Sequence, residues 1–203
     1  MNSIVAPYLP PEELRSIADN VLKTHYPDGD LPIPIEHIVE FGFELDIVPM
    51  PGLQSEFDVE AYITNDLSEI RVDRFIFEKR LFRYRFSLAH ELAHLLIHRD
   101  ILRALKFSTI AEWKTAMSSI PDEQYKWIEW QAYELAGMLL VPQMPLGDIF
   151  QTKVAEAKRA GIDIQEMDQK FRRVIEANIG KHFEVSGDVI AKRMKRDRLW
   201  TTK

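Results

Sequence analysis

The chain has 203 residues and a formal net charge of −6, with ordinary hydrophobic (46%) and charged (29%) fractions, so it can bury a sizeable core without covalent staples. It has no cysteine, which excludes a disulfide framework, a cysteine-ligated zinc ribbon and a cysteine nucleophile. The acidic balance argues against nucleic-acid binding by the whole surface, and no apolar run approaches the roughly 18–20 residues of a membrane span.

The first residues, MNSIVAPYLPPEEL, lack the basic and apolar regions of a secretory leader, and a cytoplasmic location is expected. Pro10 and Pro11 ahead of Glu12 and Glu13 predict a helix start, and Leu14, Ile17, Ala18, Val21 and Leu22 carry it to about Thr24. YPDGDLPIP reads as a loop, IEHIVEFG as a short helix stopped at Gly42, FELDIVPM as a strand and PGLQSEFD as a loop. VEAYIT and SEIRVDRF predict two strands around a turn at Asn65 and Asp66, with Val59, Ala61 and Ile63 on one face, and Ile70 and Val72 sharing one on the next strand. One helix is expected from near Lys79 to about His98, and helix plus loop over 100–118.

Ser119 to Asp122 resembles a capping box opening a helix that stops before Pro142. After a loop at PQMPLG, two or three further helices are expected, with a break at Gly161 and a turn at GKHFEVS. Two stretches, Arg71–Arg85 and Lys192–Arg198, each carry a net +4 and read as solvated helix faces. The order of elements fits an α+β fold.

The stretch SLAHELAHLLIHRD is apolar nearly all round and belongs inside the protein. Ser87, His90, Glu91, His94 and His98 form a narrow polar stripe on it, and buried polar groups need partners. His90 and His94, four residues apart, lie about 40° apart on one helical face and can point at one metal ion. Glu91 beside them can reach a water at that ion, the arrangement that His-Glu-x-x-His provides in zinc hydrolases. The competing reading is three side chains satisfied by ordinary hydrogen bonds. His98 lies roughly 12 Å along the axis from His90, too far to join the same ion.

A third ligand must therefore come from elsewhere. Glu129 is the best donor, because Glu129, Ala132, Ala136 and Gly137 share one face of the later helix and small residues let it approach Ala89 and Ala93. Glu134, about 140° around that helix, is the rival. Trp127 and Trp130 read as core anchors. Tyr125, Tyr133 and His182 are candidates for stabilising an oxyanion.

RFSLAHELAHLLIH followed by EWQAYELAGMLLVP resembles the ImmA/IrrE family of bacterial metallopeptidases. Arg85, Phe86, Ser87, Ala89, His90, Glu91 and His94 carry the first motif, and Glu129, Ala132, Ala136, Leu139, Leu140 and Pro142 the second. Tyr133, Leu135 and Val141 depart from the family pattern. The resemblance extends from about Pro11 to Met194. It implies a zincin-like core with a small twisted antiparallel or mixed sheet over 1–145 and a C-terminal helical subdomain over 146–203.

It further implies a zinc-dependent endopeptidase with metal ligands His90, His94 and Glu129 and catalytic Glu91. Its protein substrate would be a helix-turn-helix transcriptional repressor in bacterial stress or mobile-element regulation. Zn²⁺ is favoured by ligand type, with Mn²⁺ as the alternative. An extended substrate is expected to pair with a strand within 59–75. The rival function is a non-catalytic regulator binding DNA or a repressor. It rests on a helix-turn-helix-like end, with Ser186 as N-cap and the Lys192–Arg198 cations on the second helix. DNA contact and a membrane are not part of the favoured reading.

Overall fold

The computed structural model describes residues 4–162 and 168–200, and among these there are fifteen elements. Helix α1 (Pro11–His25) starts on two prolines, has Glu12 and Glu13 in its first turn and Lys23 and His25 in its last, and buries Leu14, Ala18 and Val21. A short α2 (Ile35–His37) continues into a π-helical turn over Ile38–Gly42. Strand β1 (Asp46–Met50) follows.

The stretch expected to be a loop after β1 instead holds α3 (Leu53–Phe57), entered through the left-handed Gly52 and left through the left-handed Asp58. Its buried Leu53 seeds a small cluster with Val59, Tyr62 and Phe107. Val59 thus joins that cluster and leaves the main core face to Ala61 and Ile63.

Strands β2 (Ala61–Ile63) and β3 (Glu69–Asp73) complete a three-stranded mixed sheet of order β1-β3-β2. β1 runs parallel to β3 with Ile47 opposite Ile70, and β2 antiparallel with Ala61 opposite Val72 and Ile63 opposite Ile70. One face of this sheet lies on α5 (Leu81–Ile97), where Leu88 and Leu92 are fully buried with Ile70 and Val72. Tyr62 points to the other face and meets Trp113 and Phe107.

The helix expected from near Lys79 to about His98 is α5, and a further short helix precedes it where the strand was expected to continue. Asp73 ends β3 and caps α4 (Arg74–Lys79), its carboxylate accepting from the N–H groups of Phe75 and Ile76 as well as Gln54. The alternation in SEIRVDRF hides this N-cap inside a strand-like pattern. The chain then breaks at Arg80 before α5.

After α6 (Arg99–Leu105) comes α7 (Ile110–Ser118), which carries the capping box that Ser119 was expected to provide. Thr109 and Glu112 exchange side-chain and backbone bonds, while Ser119 ends α7 and bonds to the Ala116 carbonyl. Helix α8 (Asp122–Leu140) starts on Pro121 and needs no side-chain cap. The expected loop at PQMPLG is the first turn of α9 (Gln143–Arg159), because a proline fits an N-cap or first turn as readily as a loop.

Helices α10 (Gln169–Phe183) and α11 (Gly187–Arg196) form a hairpin whose Phe183, Ile190 and Met194 share the core with Leu139 and Leu140 of α8. Gly180 and Gly187 sit where these helices meet, and a Cβ on Gly180 would lie 2.6 Å from the Val185 carbonyl. The mostly helical chain with its small mixed sheet is the expected α+β, zincin-like core with C-terminal helices. No helix among the described residues is long and apolar enough to cross a membrane.

Candidate metal centre

Helices α5 and α8 pack along one another through small residues. Ala89 and Ala93 on one and Ala132 and Ala136 on the other are fully buried. Gly137 was expected on this contact but serves α11, since a Cβ there would stand 3.3 Å from Arg193 Cδ. The close approach brings Glu129 over the two histidines of α5. Among the described residues, His90, His94 and Glu129 form a group whose ligand atoms all lie within 4.8 Å of one another. His90 Nε2 is 3.1 Å from His94 Nε2, and the Glu129 oxygens stand 3.3 Å and 3.5 Å from the two imidazoles.

The charges favour a cation at this point. Burial pulls the Glu129 carboxyl up, yet hydrogen bonds from His90 and His94 outweigh it and hold the group far below the usual carboxylate range. Burial pulls His90 down, but Glu129, together with the charges of Glu91 and Glu60, raises it overall. Two imidazole nitrogens and a carboxylate are also the donor set of a three-ligand catalytic zinc site. His90 Nδ1 is buried with no hydrogen-bond partner, so its ring is engaged only through Nε2. The residues present therefore fit a divalent metal ion.

Glu91 sits beside the centre, 8% exposed, with Oε2 accepting from the Ile63 N–H of β2 at 3.0 Å. Burial raises its carboxyl above the usual range, against the opposing pull of His94 and His90. β2 is an edge strand of the sheet. The Glu60 carbonyl and the Thr64 N–H face β3, so by alternation Ala61 and Ile63 turn their backbone groups to the open edge. Ile63 gives its N–H to Glu91, and Ala61 lines the cleft.

His98 lies off the centre but is joined to it. Its Nδ1 is 3.1 Å from His94 Nδ1, and its Nε2 is 2.8 Å from Gln131 Oε1. The Gln131 amide nitrogen donates to the Pro7 carbonyl at 2.7 Å, which turns Oε1 toward His98. With its proton on Nε2, His98 can accept at Nδ1 from His94 Nδ1–H, a tautomer that would leave the His94 Nε2 lone pair for a metal in place of the contact with Glu129. Burial, and the neighbouring His94, lower His98 to about 4, so His98 is neutral at ordinary pH.

A cleft of about 280 Å³ opens over the centre, lined among others by Glu60, Ala61, Tyr125, Tyr133 and, from α7, Trp113 and Met117. Of the three oxyanion candidates, Tyr125 and Tyr133 are in this cleft. Burial and the nearby Glu129 and Glu91 raise the Tyr125 hydroxyl above its ordinary value, so it holds its proton. His182 is exposed on α10, near Glu156, and does not line the cleft. Glu134 turns away from the centre and pairs with Arg196 at 2.8 Å. Gln131, Glu60, Trp113 and Met117 were not singled out in the sequence, and only the polar stripe ending at His98 hinted at the first.

The cation-rich stretches are not simply solvated. Arg85 is buried and donates to the Ile33 carbonyl at 2.6 Å, tying α5 to the loop before α2. On α11, Arg193 is 3% exposed, donates to the Val141 carbonyl and pairs with Asp197, Arg196 pairs with Glu134, and Lys192 stands 3.8 Å above the Tyr133 ring. The helix expected to read DNA in the rival function thus spends three of its cations on the fold.

Residues 77–195, more than half of the chain, match the IrrE N-terminal-like domain of the M78 peptidases. A Mycobacterium tuberculosis transcriptional regulator is similar in structure at a TM-score of 0.49 and 14% identity, over 92% of this chain and 52% of that one. The chain spans about half the length of that protein. No curated protein matches the chain.

Proposed function

From the membership of this chain in the IrrE N-terminal-like domain family of metallopeptidases, we propose that it is a zinc-dependent endopeptidase cleaving a helix-turn-helix transcriptional repressor. The observation that carries the reading is the convergence of His90, His94 and Glu129 beside a buried Glu91 and an open strand edge. In this proposal 1–145 is the catalytic core and 146–203 the C-terminal subdomain.

His90, His94 and Glu129 would hold the ion, and zinc suits two imidazoles and a carboxylate better than manganese does. When bound, the metal supplies a Lewis acid and a water acidified toward a pKa of about 7. Glu91, held by the Ile63 N–H, takes a proton from the attacking water and returns it to the leaving amine. Burial raises its pKa, which makes it a better proton acceptor than an ordinary carboxylate. Ala61 on the open edge pairs with the backbone of an extended substrate. Tyr125 or Tyr133 donates to the developing oxyanion.

The rival regulator that binds DNA without cutting finds little to use on α11, whose Arg193 and Arg196 are bonded within the chain. Co-expression with repressors encoded beside the chain's own gene tests the proposal. A repressor fragment should form with the wild type and not with Glu91→Gln, while Glu91→Gln keeps its metal. Equal cleavage by the two chains would remove Glu91 from the mechanism.

A further inference from the structure

A second cleft opens beside the metal centre. It encloses about 530 Å³ and shares Glu60, Phe86 and Tyr133 with the cleft over the centre, so the two adjoin. Its walls come from two elements distant in sequence. Phe82 and Phe86, one turn apart on α5, face Val189 on α11, with Arg83 and Lys192 on the lining beside them. The Tyr133 ring packs against Phe86 at 4.7 Å and is covered by the Lys192 ammonium, which fixes the ridge between the two clefts.

Phe82 remains 38% exposed here. A phenylalanine left open in a concave surface that leads directly from reactive groups is suited to bury an apolar side chain of a ligand.

The direction of a bound peptide follows from the elements. Glu60 meets Arg83 and Ser87, while Ile63 meets Glu91, so β2 and α5 run side by side in the same sense. The second cleft lies at the beginning of both. A peptide added antiparallel to β2 on its open edge runs the opposite way and carries its C-terminal part toward Phe82.

We infer that the trough between Phe82 on α5 and Val189 on α11 is a specificity subsite for a bulky apolar side chain on the C-terminal side of the cleaved bond. The inference rests on the peptidase reading and adds what that reading leaves open, namely which peptides are accepted. It also gives α11 a role as a wall of the substrate path.

The test uses the full-length chain and short peptides that vary at each position between Leu, Phe, Ser and Lys. Cleavage sites are read by mass spectrometry on the zinc-loaded wild type. Binding of labelled peptides is read separately by fluorescence anisotropy on Glu91→Gln. Bulky apolar residues on the C-terminal side should be preferred over Ser by about tenfold or more, as for a side chain filling an apolar pocket. Phe82→Asp, at a half-open position, and Ala191→Trp, which fills the trough from the other wall, should each collapse that preference in both measurements.

Cleavage without an apolar preference on that side, or a preference unmoved in both variants, overturns the subsite and leaves the peptidase standing. Apolar-selective, Phe82-dependent binding without any cleavage removes the peptidase reading and overturns the subsite as placed beside a cleaved bond, leaving only an apolar peptide-binding trough. Neither cleavage nor binding overturns both.

Discussion

Replacing Gln131 with Met tests whether the relay behind His94 sets the metal affinity of the centre. Gln131 is fully buried and holds His98 Nε2–H at 2.8 Å, and His98 is 1% exposed. The Met side chain has similar length but no acceptor of comparable strength. Two responses are open to the chain. If His98 keeps its tautomer, a buried N–H loses its partner, which costs about 1–3 kcal/mol of stability.

If His98 moves its proton to Nδ1, that N–H faces His94 Nδ1–H at 3.1 Å, and one of the two protons must leave. His94 then takes its proton on Nε2, the atom aimed at the centre, and cannot ligate. The second response places the cost on metal binding, and outer partners of ligand histidines typically govern affinity by 10–100-fold, about 1.4–2.7 kcal/mol. Competition with a chromophoric zinc chelator reads the affinity, and urea unfolding of the metal-free chain reads the stability. Gln131→Met should lose at least about tenfold in zinc affinity, or the equivalent in stability. A variant with zinc affinity within about twofold of wild type and unchanged unfolding would refute the relay.

The pairing of His90 with His94 was legible because helical spacing alone aligns them, and the approach of Glu129 because a run of small residues identifies the face that can come close. Glu91 followed from its place beside His90. Gln131 was not legible, although it lies two residues from Glu129, because positions two apart on a helix do not share a face. It reaches the site through His98 at the far end of α5, a contact that depends on how α5 and α8 cross and on the segment at Pro7. The buried arginines were misread for a related reason. A run of cations looks solvated in one dimension, yet Arg85 and Arg193 each find carbonyl acceptors contributed by a distant segment. Local boundaries failed where one residue suits two structures: Asp73 fits a strand end and an N-cap, and Pro142 fits a loop and a helix start.

Two further expectations concern the ligands and the pH response. Glu129→Ala should bind less than a tenth of the wild-type zinc by elemental analysis after dialysis, while Glu134→Ala, which breaks only the Arg196 pair, should retain it. Loss in the Glu134 variant alone would reverse the ligand assignment. The metal-free chain should lose stability in acid through His98, whose pKa is about 4 in the fold and about 6.5 in the unfolded chain. Between those values the unfolded chain binds the extra proton, so stability present above about pH 6.5 is lost as pH falls toward 4, up to about 3 kcal/mol in all. Because Glu91, His90 and Glu129 titrate differently in the fold as well, the informative quantity is the difference between wild type and His98→Phe. Phenylalanine removes the titrating ring but fills its place, so the variant starts less stable and should follow a shallower acid slope. Superimposable slopes from pH 7 to 4 in urea unfolding would mean that His98 is protonated as easily in the fold as in the open chain, and the neutral His98 behind His94 would fall with it.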